Sequence, residues 1–275
     1  MSKPKKEIKF CKTPEGEIEY ILTGKKNDET IVFIHGLGSN LRQFFPQQNY
    51  FSEDYKVLSL SLRGHGYSTK TSINDPKEFT IKKFKEDLVY VFRQLNIDKF
   101  HYVGNSMGGI IGYEYLKEKP ESFHSLITFG TTAELNVSKI SQKFISFINK
   151  VVFKLYGKNG YGEYLGRKSS TYPTTQRIMS HLFTLTDIET IVNCQKNISN
   201  YSYIKTLEST DVPILMIKGG KDDEINRNLG STLEIFEKKD NLKIVEMERA
   251  GHFANLERSE EFNEILEDFI AKCSS

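Results

Sequence analysis

The chain has 275 residues, a formal net charge of +2 and a mean hydropathy of −0.46. Its length suits one large domain, or one domain with an insertion, and buries a sizeable core without disulfides or metals. The small net charge argues against a nucleic-acid partner, and three scattered cysteines without a Cys-x-x-Cys pair argue against a zinc ribbon.

The predicted elements begin with two strands, at residues 7–11 and 17–23, joined by a turn at 14–16. Short apolar runs rich in β-branched residues follow, and such runs are typical of strands buried on both faces of a parallel sheet. They lie at residues 30–36, 55–62, 99–104, 125–130, 213–220 and 242–247. Helical periods occur between and after them, notably at residues 80–96 and 259–272. The alternation predicts an α/β fold with a doubly wound, mostly parallel, eight-stranded sheet.

Residues 134–208 interrupt this alternation because no strand-like run occurs there. Helical patterns are instead predicted at residues 138–156, 187–198 and 200–207. We expect an inserted helical cap above the carboxyl edge of the sheet, where open α/β sheets bind ligands. The insertion would divide the core into a first part, residues 1–133, and a second part, residues 209–275.

A single serine lies between two glycines at the junction of a strand pattern and a helix pattern. The sequence Gly104-Asn105-Ser106-Met107-Gly108 fits G-x-S-x-G and resembles the nucleophile elbow of α/β-hydrolases. A sharp strand-to-helix turn would lift the hydroxyl of Ser106 clear of the backbone, and the flanking glycines would let neighbouring segments pack closely. Ser106 is therefore the candidate nucleophile.

A serine nucleophile needs a base, which in this type of fold follows it along the chain. Of the histidines after Ser106, His124 opens a strand and His181 lies in the cap segment. His252 follows the last strand, in a loop at the carboxyl edge of the sheet. We therefore predict His252 as the general base.

The acid that orients this base is expected in the loop after the preceding strand. Three acidic residues occur there, Asp222, Asp223 and Glu224. Asp222 is favoured over Asp223, and its carboxylate would fix the tautomer of the imidazole ring and stabilise the imidazolium.

Backbone N–H groups must stabilise the oxyanion that forms when an acyl group is attacked. One donor should be Met107, directly after the candidate nucleophile. The other should be Leu37, in the loop after the 30–36 run. The neighbouring His35 is expected to shape that loop and not to act as a second base.

Five motifs in order and spacing resemble the capped, single-domain esterase branch of the α/β-hydrolase superfamily, from about residue 17 to 271. Relatives often carry Asp where Ser61 stands, a difference that concerns loop stability. Branches that use Asp as the nucleophile are disfavoured by Ser106. Besides the elbow, the motifs are HGLG (35–38), LRGHGYS (62–68), GGKD (219–222) and AGHFANLE (250–257).

The resemblance implies a serine hydrolase that cleaves carboxylic esters of small or medium acyl groups, including lactones or monoacylglycerols, through an acyl-enzyme. Phe144 and Phe147 of the cap, together with Phe253, are expected to bind the substrate. Alternatively, the cap aromatics only pack the cap against the core. GNSMGG also resembles the elbow of C–C bond hydrolases of ring-fission products, but those typically carry Trp where this chain has Phe253.

An acyltransferase or perhydrolase, and a slow-turnover small-molecule receptor, remain alternatives on the same scaffold. No metal or organic cofactor is implied. The N-terminal sequence lacks a secretory apolar stretch and no segment suits a membrane span, so we expect a cytoplasmic protein. The sequence leaves the oligomeric state open.

Overall fold

The structure, a computed structural model, describes residues 6–69 and 74–273. The strands are β1 (Lys9–Thr13), β2 (Gly16–Thr23), β3 (Thr30–Ile34), β4 (Lys56–Leu60), β5 (Phe100–Asn105), β6 (Phe123–Phe129), β7 (Glu134–Asn136), β8 (Asn200–Ser202), β9 (Ile214–Gly219) and β10 (Leu242–Met247). Eight of them form one sheet in the order β1-β2-β4-β3-β5-β6-β9-β10. The strands from β4 to β10 in this order pair in parallel, while β2 is antiparallel to both of its neighbours. This confirms the predicted sheet.

Helices cover both faces of the sheet, as a parallel sheet with buried faces requires. They are α1 (Phe45–Phe51), α2 (Ile81–Gln94), α3 (Met107–Glu118), α4 (Lys139–Ser169), α5 (Pro173–Phe183), α6 (Ile188–Asn197), α7 (Ile204–Ser209), α8 (Asp223–Asn226), α9 (Gly230–Phe236), α10 (Ala254–Glu257) and α11 (Ser259–Cys273). Short 3-10 turns occur at Leu41–Phe44, Pro76–Phe79 and Pro120–Ser122.

Alternation of side chains along each central strand divides the core into two layers. On β3, Val32 and Ile34 belong to the layer beneath α2 and α3, whereas Ile31 and Phe33 belong to the layer beneath α1 and α11. All four side chains are fully buried. The faces of β3 are therefore apolar on both sides of the sheet, and the candidate functional residues lie in the loops at the carboxyl ends of the strands.

Residues 134–208 connect β6 to β9 and are mostly helical, but the expectation that they contain no strand is wrong. β7 pairs with β8 in a two-stranded antiparallel ribbon, so residues 200–202, predicted as helix, are strand. Helix α7 begins only at Ile204. Strands of three residues are too short to show an alternating pattern, and this pair forms because both ends of the insertion leave the core side by side.

The longest helix is interrupted at Gly157, whose φ of 65° and ψ of −172° are not helical. Glycine adopts such a conformation without steric cost, so α4 is two helical segments joined at this residue. The first segment coincides with the predicted helix at 138–156. The second runs on to Ser169 and packs against α5.

A buried carboxylate on β2 joins three segments near the carboxyl edge of the sheet. Glu19 accepts hydrogen bonds from the Arg42 guanidinium at 2.6 Å, from the Ser61 hydroxyl at 2.7 Å and from the Tyr67 N–H at 3.1 Å. From the resemblance described above, many relatives are expected to carry Asp where Ser61 stands. In this chain, Glu19 provides the carboxylate at that place from a neighbouring strand.

Glu19→Ala should lower the free energy of unfolding by about 3 kcal/mol, because it leaves a largely buried guanidinium and a buried hydroxyl without their acceptor. Urea denaturation measures the change. Glu17→Ala is the matched control, since Glu17 is exposed on the same strand. A loss equal to that of the control would mean that the Glu19 contacts contribute little.

Candidate active site

Ser106 lies between the last residue of β5 and the first residue of α3, as the motif predicts. Its φ of 50° and ψ of −117° are unusual for a residue with a side chain. Within the described part of the chain, only Asn96 and Ser106 combine a side chain with a positive φ. Such backbone costs about 1–3 kcal/mol and persists only where the surroundings impose it. Here, the Ser106 N–H donates to the Phe129 carbonyl at 2.9 Å.

The glycines on either side of Ser106 are required by close backbone contacts. A Cβ atom on Gly108 would lie 2.2 Å from the carbonyl oxygen of Ile34, at the end of β3. A Cβ on Gly104 would lie 2.6 Å from the carbonyl oxygen of Gly108. The first turn of α3 therefore packs directly on the backbones of β3 and β5. This contact holds Ser106 in its strained backbone conformation.

The structure brings His252 and Asp222 together from the loops after β10 and β9. His252 Nδ1 lies 2.8 Å from Asp222 Oδ2, so the ring donates its Nδ1 proton to the carboxylate. Asp222 is buried, whereas Asp223 and Glu224 begin helix α8 on the surface. The geometry therefore distinguishes Asp222 from both of its acidic neighbours.

The surroundings of His252 favour its protonated form. Burial alone would lower the pKa of the ring, but the charge of Asp222 and its hydrogen bond outweigh burial and raise the pKa above the ordinary value of 6.5. Glu224 and Glu257 raise it further. A quarter of the His252 side chain remains exposed, so its Nε2 edge is open to the cavity.

The loop after β3 places Leu37 beside Ser106, and the ring of His35 holds that loop. His35 Nδ1 donates to the Gly36 carbonyl at 2.7 Å, and His35 Nε2 accepts from the Leu62 N–H at 2.9 Å. Burial, together with the nearby His65, keeps the pKa of His35 well below 6.5. His35 is thus a neutral ring with both nitrogens occupied, as expected of a loop-shaping residue.

The N–H of Met107 belongs to the first turn of α3, whose N–H groups have no intrahelical acceptor. The Met107 side chain is fully buried in the core, so only its backbone faces the elbow. Leu37 lines the same cavity as Ser106. The Met107 N–H therefore lies at the elbow, and Leu37 lines the cavity into which Ser106 opens. Their role as oxyanion donors stays a prediction.

A cavity of about 620 Å³ lies between the core loops and residues 134–208. Ser106, Asp222, His252 and Leu37 contribute to its core side. Its other wall comes from the insertion and combines apolar side chains with polar and basic ones. The apolar side chains include Ile145, Leu165, Phe183, Ile191 and Ile198, and the basic ones are Arg167, Lys168 and Lys196.

Two of the three predicted substrate-binding aromatics do not line this cavity. The structure corrects this expectation for Phe144 and Phe147, which are 63% and 65% exposed on the outer face of α4. Their neighbours Ile145 and Ser146 face the cavity instead. Phe253 does line the cavity, and it is buried in a small cluster with residues of α5.

Sequence reasoning missed a buried amide network beneath the elbow. Asn105 Nδ2 donates to the His252 carbonyl at 3.1 Å and to the Phe129 carbonyl at 3.2 Å. Its Oδ1 accepts from Gln43 Nε2 at 3.0 Å, and Gln43 in turn contacts Asn255. No local pattern marks such residues, because their partners lie up to 212 positions away along the chain.

The insertion is also joined to the base loop by hydrogen bonds. Glu257 accepts from the Gly251 N–H and from the Ser170 hydroxyl, the latter at 2.7 Å. Ser170 directly follows the last residue of α4. The position of this part of the insertion is therefore coupled to the loop that carries His252.

Neither a metal cluster nor a membrane-spanning helix is found in the described residues. No group of three or more His, Cys, Asp or Glu side chains within 6–69 and 74–273 could hold a metal ion. Over the same ranges, no helix is both long and apolar enough to cross a bilayer. The cytoplasmic location stays a prediction.

The chain is similar to known proteins at low sequence identity. A family model described as the alpha/beta hydrolase fold matches residues 29–259. The chain is 23% identical to 3-oxoadipate enol-lactonase 2 of Acinetobacter baylyi over 258 residues, which cover 91% of each protein.

Two solved structures superpose on most of the chain. A bromoperoxidase from Bacillus anthracis has a TM-score of 0.83 and 19% identity, covering 96% of this chain and 100% of its own. An esterase from Exiguobacterium antarcticum has a TM-score of 0.80 and 19% identity, covering 95% and 98%. At these identities, the superpositions establish the fold alone.

Proposed function

The chain belongs to the α/β-hydrolase fold family, and on this premise we propose that it is a serine hydrolase cleaving carboxylic esters of small or medium acyl groups through an acyl-enzyme. One observation carries the proposal. Ser106, whose backbone is strained, lines the same cavity as His252. The His252 ring is hydrogen-bonded at 2.8 Å to the buried carboxylate of Asp222. Strain of this kind concentrates at functional sites.

In the proposed reaction, Ser106 Oγ attacks the ester carbonyl while His252 Nε2 takes its proton. The Asp222 carboxylate accepts a hydrogen bond from Nδ1–H and so keeps the proton on Nδ1. Nε2 then carries the free lone pair that the base needs. The N–H groups of Leu37 and Met107 stabilise the oxyanion. His252 then gives the proton to the leaving alcohol, and water activated by the same ring releases the acid from Ser106.

The cavity supports the proposed size and polarity of the acyl group. A volume of about 620 Å³ lies within the range of small-molecule sites, and its wall from the insertion includes apolar side chains that suit an acyl group. The enol-lactonase relative and the esterase with the same fold are consistent with linear esters and lactones as substrates. Monoacylglycerols belong to the same class.

We also propose that residues 134–208 act as a cap. They supply the apolar wall opposite Ser106 and are fixed to the base loop through Ser170 and Glu257. A cap in this position would exclude water from the developing oxyanion and limit the length of the acyl group.

A profile of initial rates on aryl esters, lactones and dienoates tests the proposal against its alternatives. An esterase turns over the aryl esters and lactones, whereas a slow-turnover receptor releases at most a few equivalents of product. A C–C bond hydrolase prefers the dienoates. An acyltransferase or perhydrolase gives a transfer product when alcohol or peroxide is added.

Ser106→Ala should lower kcat for an aryl ester by a factor on the order of 10⁶, because covalent catalysis is lost while packing hardly changes. Steady-state kinetics measure the loss, and thermal unfolding checks the fold. Ser146→Ala is the control, since this hydroxyl lines the same cavity but lies on the insertion. Comparable rates for the two variants would disprove the role of Ser106.

Asp222→Asn should lower kcat by a factor on the order of 10⁴, because an amide favours the wrong tautomer of His252. Activity needs neutral His252, so it falls as the pH drops through the raised pKa of this ring. Removing the Asp222 charge should shift this acidic decline of the pH–activity profile to lower pH. The measurement is kcat/KM against pH, with Asp223→Asn as the matched control. A larger effect of Asp223→Asn would place the acid one residue later.

Ile145→Trp should lower kcat/KM for long acyl esters more than for an acetyl ester, because the larger ring reduces the cavity at the cap. Phe144→Ala, one residue earlier on the exposed face, should leave the chain-length profile unchanged. Rates on a series of p-nitrophenyl esters measure both. If Phe144→Ala shifted the profile and Ile145→Trp did not, the assignment of the cavity wall would be wrong.

A further inference from the structure

The first segment of α4 carries a continuous apolar surface that faces solvent. We call it the outer stripe, and its members recur every three or four residues on one side of the helix. They are Ile140, Phe144, Phe147, Val151 and Leu155, with exposed fractions of 82%, 63%, 65%, 36% and 70%. At 1.5 Å per residue, the stripe is about 22 Å long. Exposed apolar patches of this size mark interaction sites.

This helix differs from an ordinary surface helix, whose apolar side faces the core, because it carries a row of apolar side chains on its solvent side as well. The side opposite the outer stripe is centred on Asn149, which is buried and donates to Gln195 on α6 at 2.9 Å. Gln142 and Ser146 lie on the same inward side and line the cavity. The apolar side therefore contributes little to folding, and an external partner is needed to explain it.

Charge on this segment identifies the class of partner. Residues 138–162 contain five lysines and no Asp or Glu, although the whole chain has a net charge of only +2. Lys150 pairs with Glu189, but no other lysine of the segment forms an ion pair with a described residue. Three further exposed cations, Arg167, Lys168 and Lys196, lie at the rim of the cavity.

We propose that the outer stripe docks on an anionic lipid surface. A helix with apolar and aromatic residues on one side and lysines beside them lies in the plane of such an interface, with its apolar side among the acyl chains. The lysines would face anionic head groups, which attract basic residues near the surface. A second copy of the chain fits less well, because pairing two outer stripes would bring two rows of lysines together.

Docking in this orientation would attach the protein to the membrane through the outer side of the helix, while Ile145 and Ser146 line the cavity from its other sides. The docking itself does not depend on catalysis and can be measured without a substrate.

Sedimentation of the full chain with sucrose-loaded vesicles tests the proposal. The protein should bind phosphatidylglycerol vesicles at least tenfold more tightly than phosphatidylcholine vesicles, and less tightly as salt increases. The double variant Phe144→Ser/Phe147→Ser should lose at least tenfold in affinity, and so should Lys143→Glu/Lys154→Glu. Tyr90→Ser and Lys25→Glu/Lys26→Glu are matched controls on distant exposed surfaces and should bind like the wild type.

Hydrolysis of a water-soluble acetyl ester by the Phe144→Ser/Phe147→Ser variant should remain at the wild-type rate, which shows that the variant is folded. Absence of binding to either vesicle overturns the proposal. Equal binding of both lipids, or equal losses in the distant controls, also overturns it. So does a concentration-dependent dimer that the Phe144→Ser/Phe147→Ser variant dissociates, because the outer stripe would then be an interface between copies.

Discussion

The constraint on which the site depends is the close approach of three backbones at the carboxyl edge of the sheet. The first turn of α3 contacts the end of β3 at Gly108 and the end of β5 at Gly104, with no room for a Cβ atom. This contact holds Ser106 in a backbone conformation that an isolated chain would avoid. The reactive position of the hydroxyl is thus stabilised by the whole sheet and not by local preference.

The elbow and the base loop form one unit through buried amides. Asn105 bonds to the His252 carbonyl, and Gln43 fixes the orientation of Asn105. These buried hydrogen bonds hold the elbow and the base loop together, because each bond is stronger in a medium of low dielectric constant. The position of His252 therefore follows from the position of the elbow, although Ser106 and His252 lie 146 positions apart along the chain.

Much of the core could be predicted because its patterns are local. Residues 31–34 are all apolar because both faces of this strand are buried, and the glycines around Ser106 indicate a contact that excludes side chains. The pairing of Asp222 with His252 followed from the order of the loops.

By contrast, the Glu19 carboxylate beside Ser61 depends on contacts between strands that no sequence pattern records. The aromatic content of the insertion led to the expectation that Phe144 and Phe147 line the cavity, but both side chains lie on the exposed side of α4.

The central claim is that Ser106 is a nucleophile activated by the His252–Asp222 pair. Its most direct test is mass spectrometry of the intact wild-type protein after treatment with a fluorophosphonate, followed by peptide mapping. The account predicts one phosphonyl group per chain, attached to Ser106, and labelling that slows as the pH falls through the raised pKa of His252. Labelling of another residue, or a rate independent of pH across that range, would contradict it.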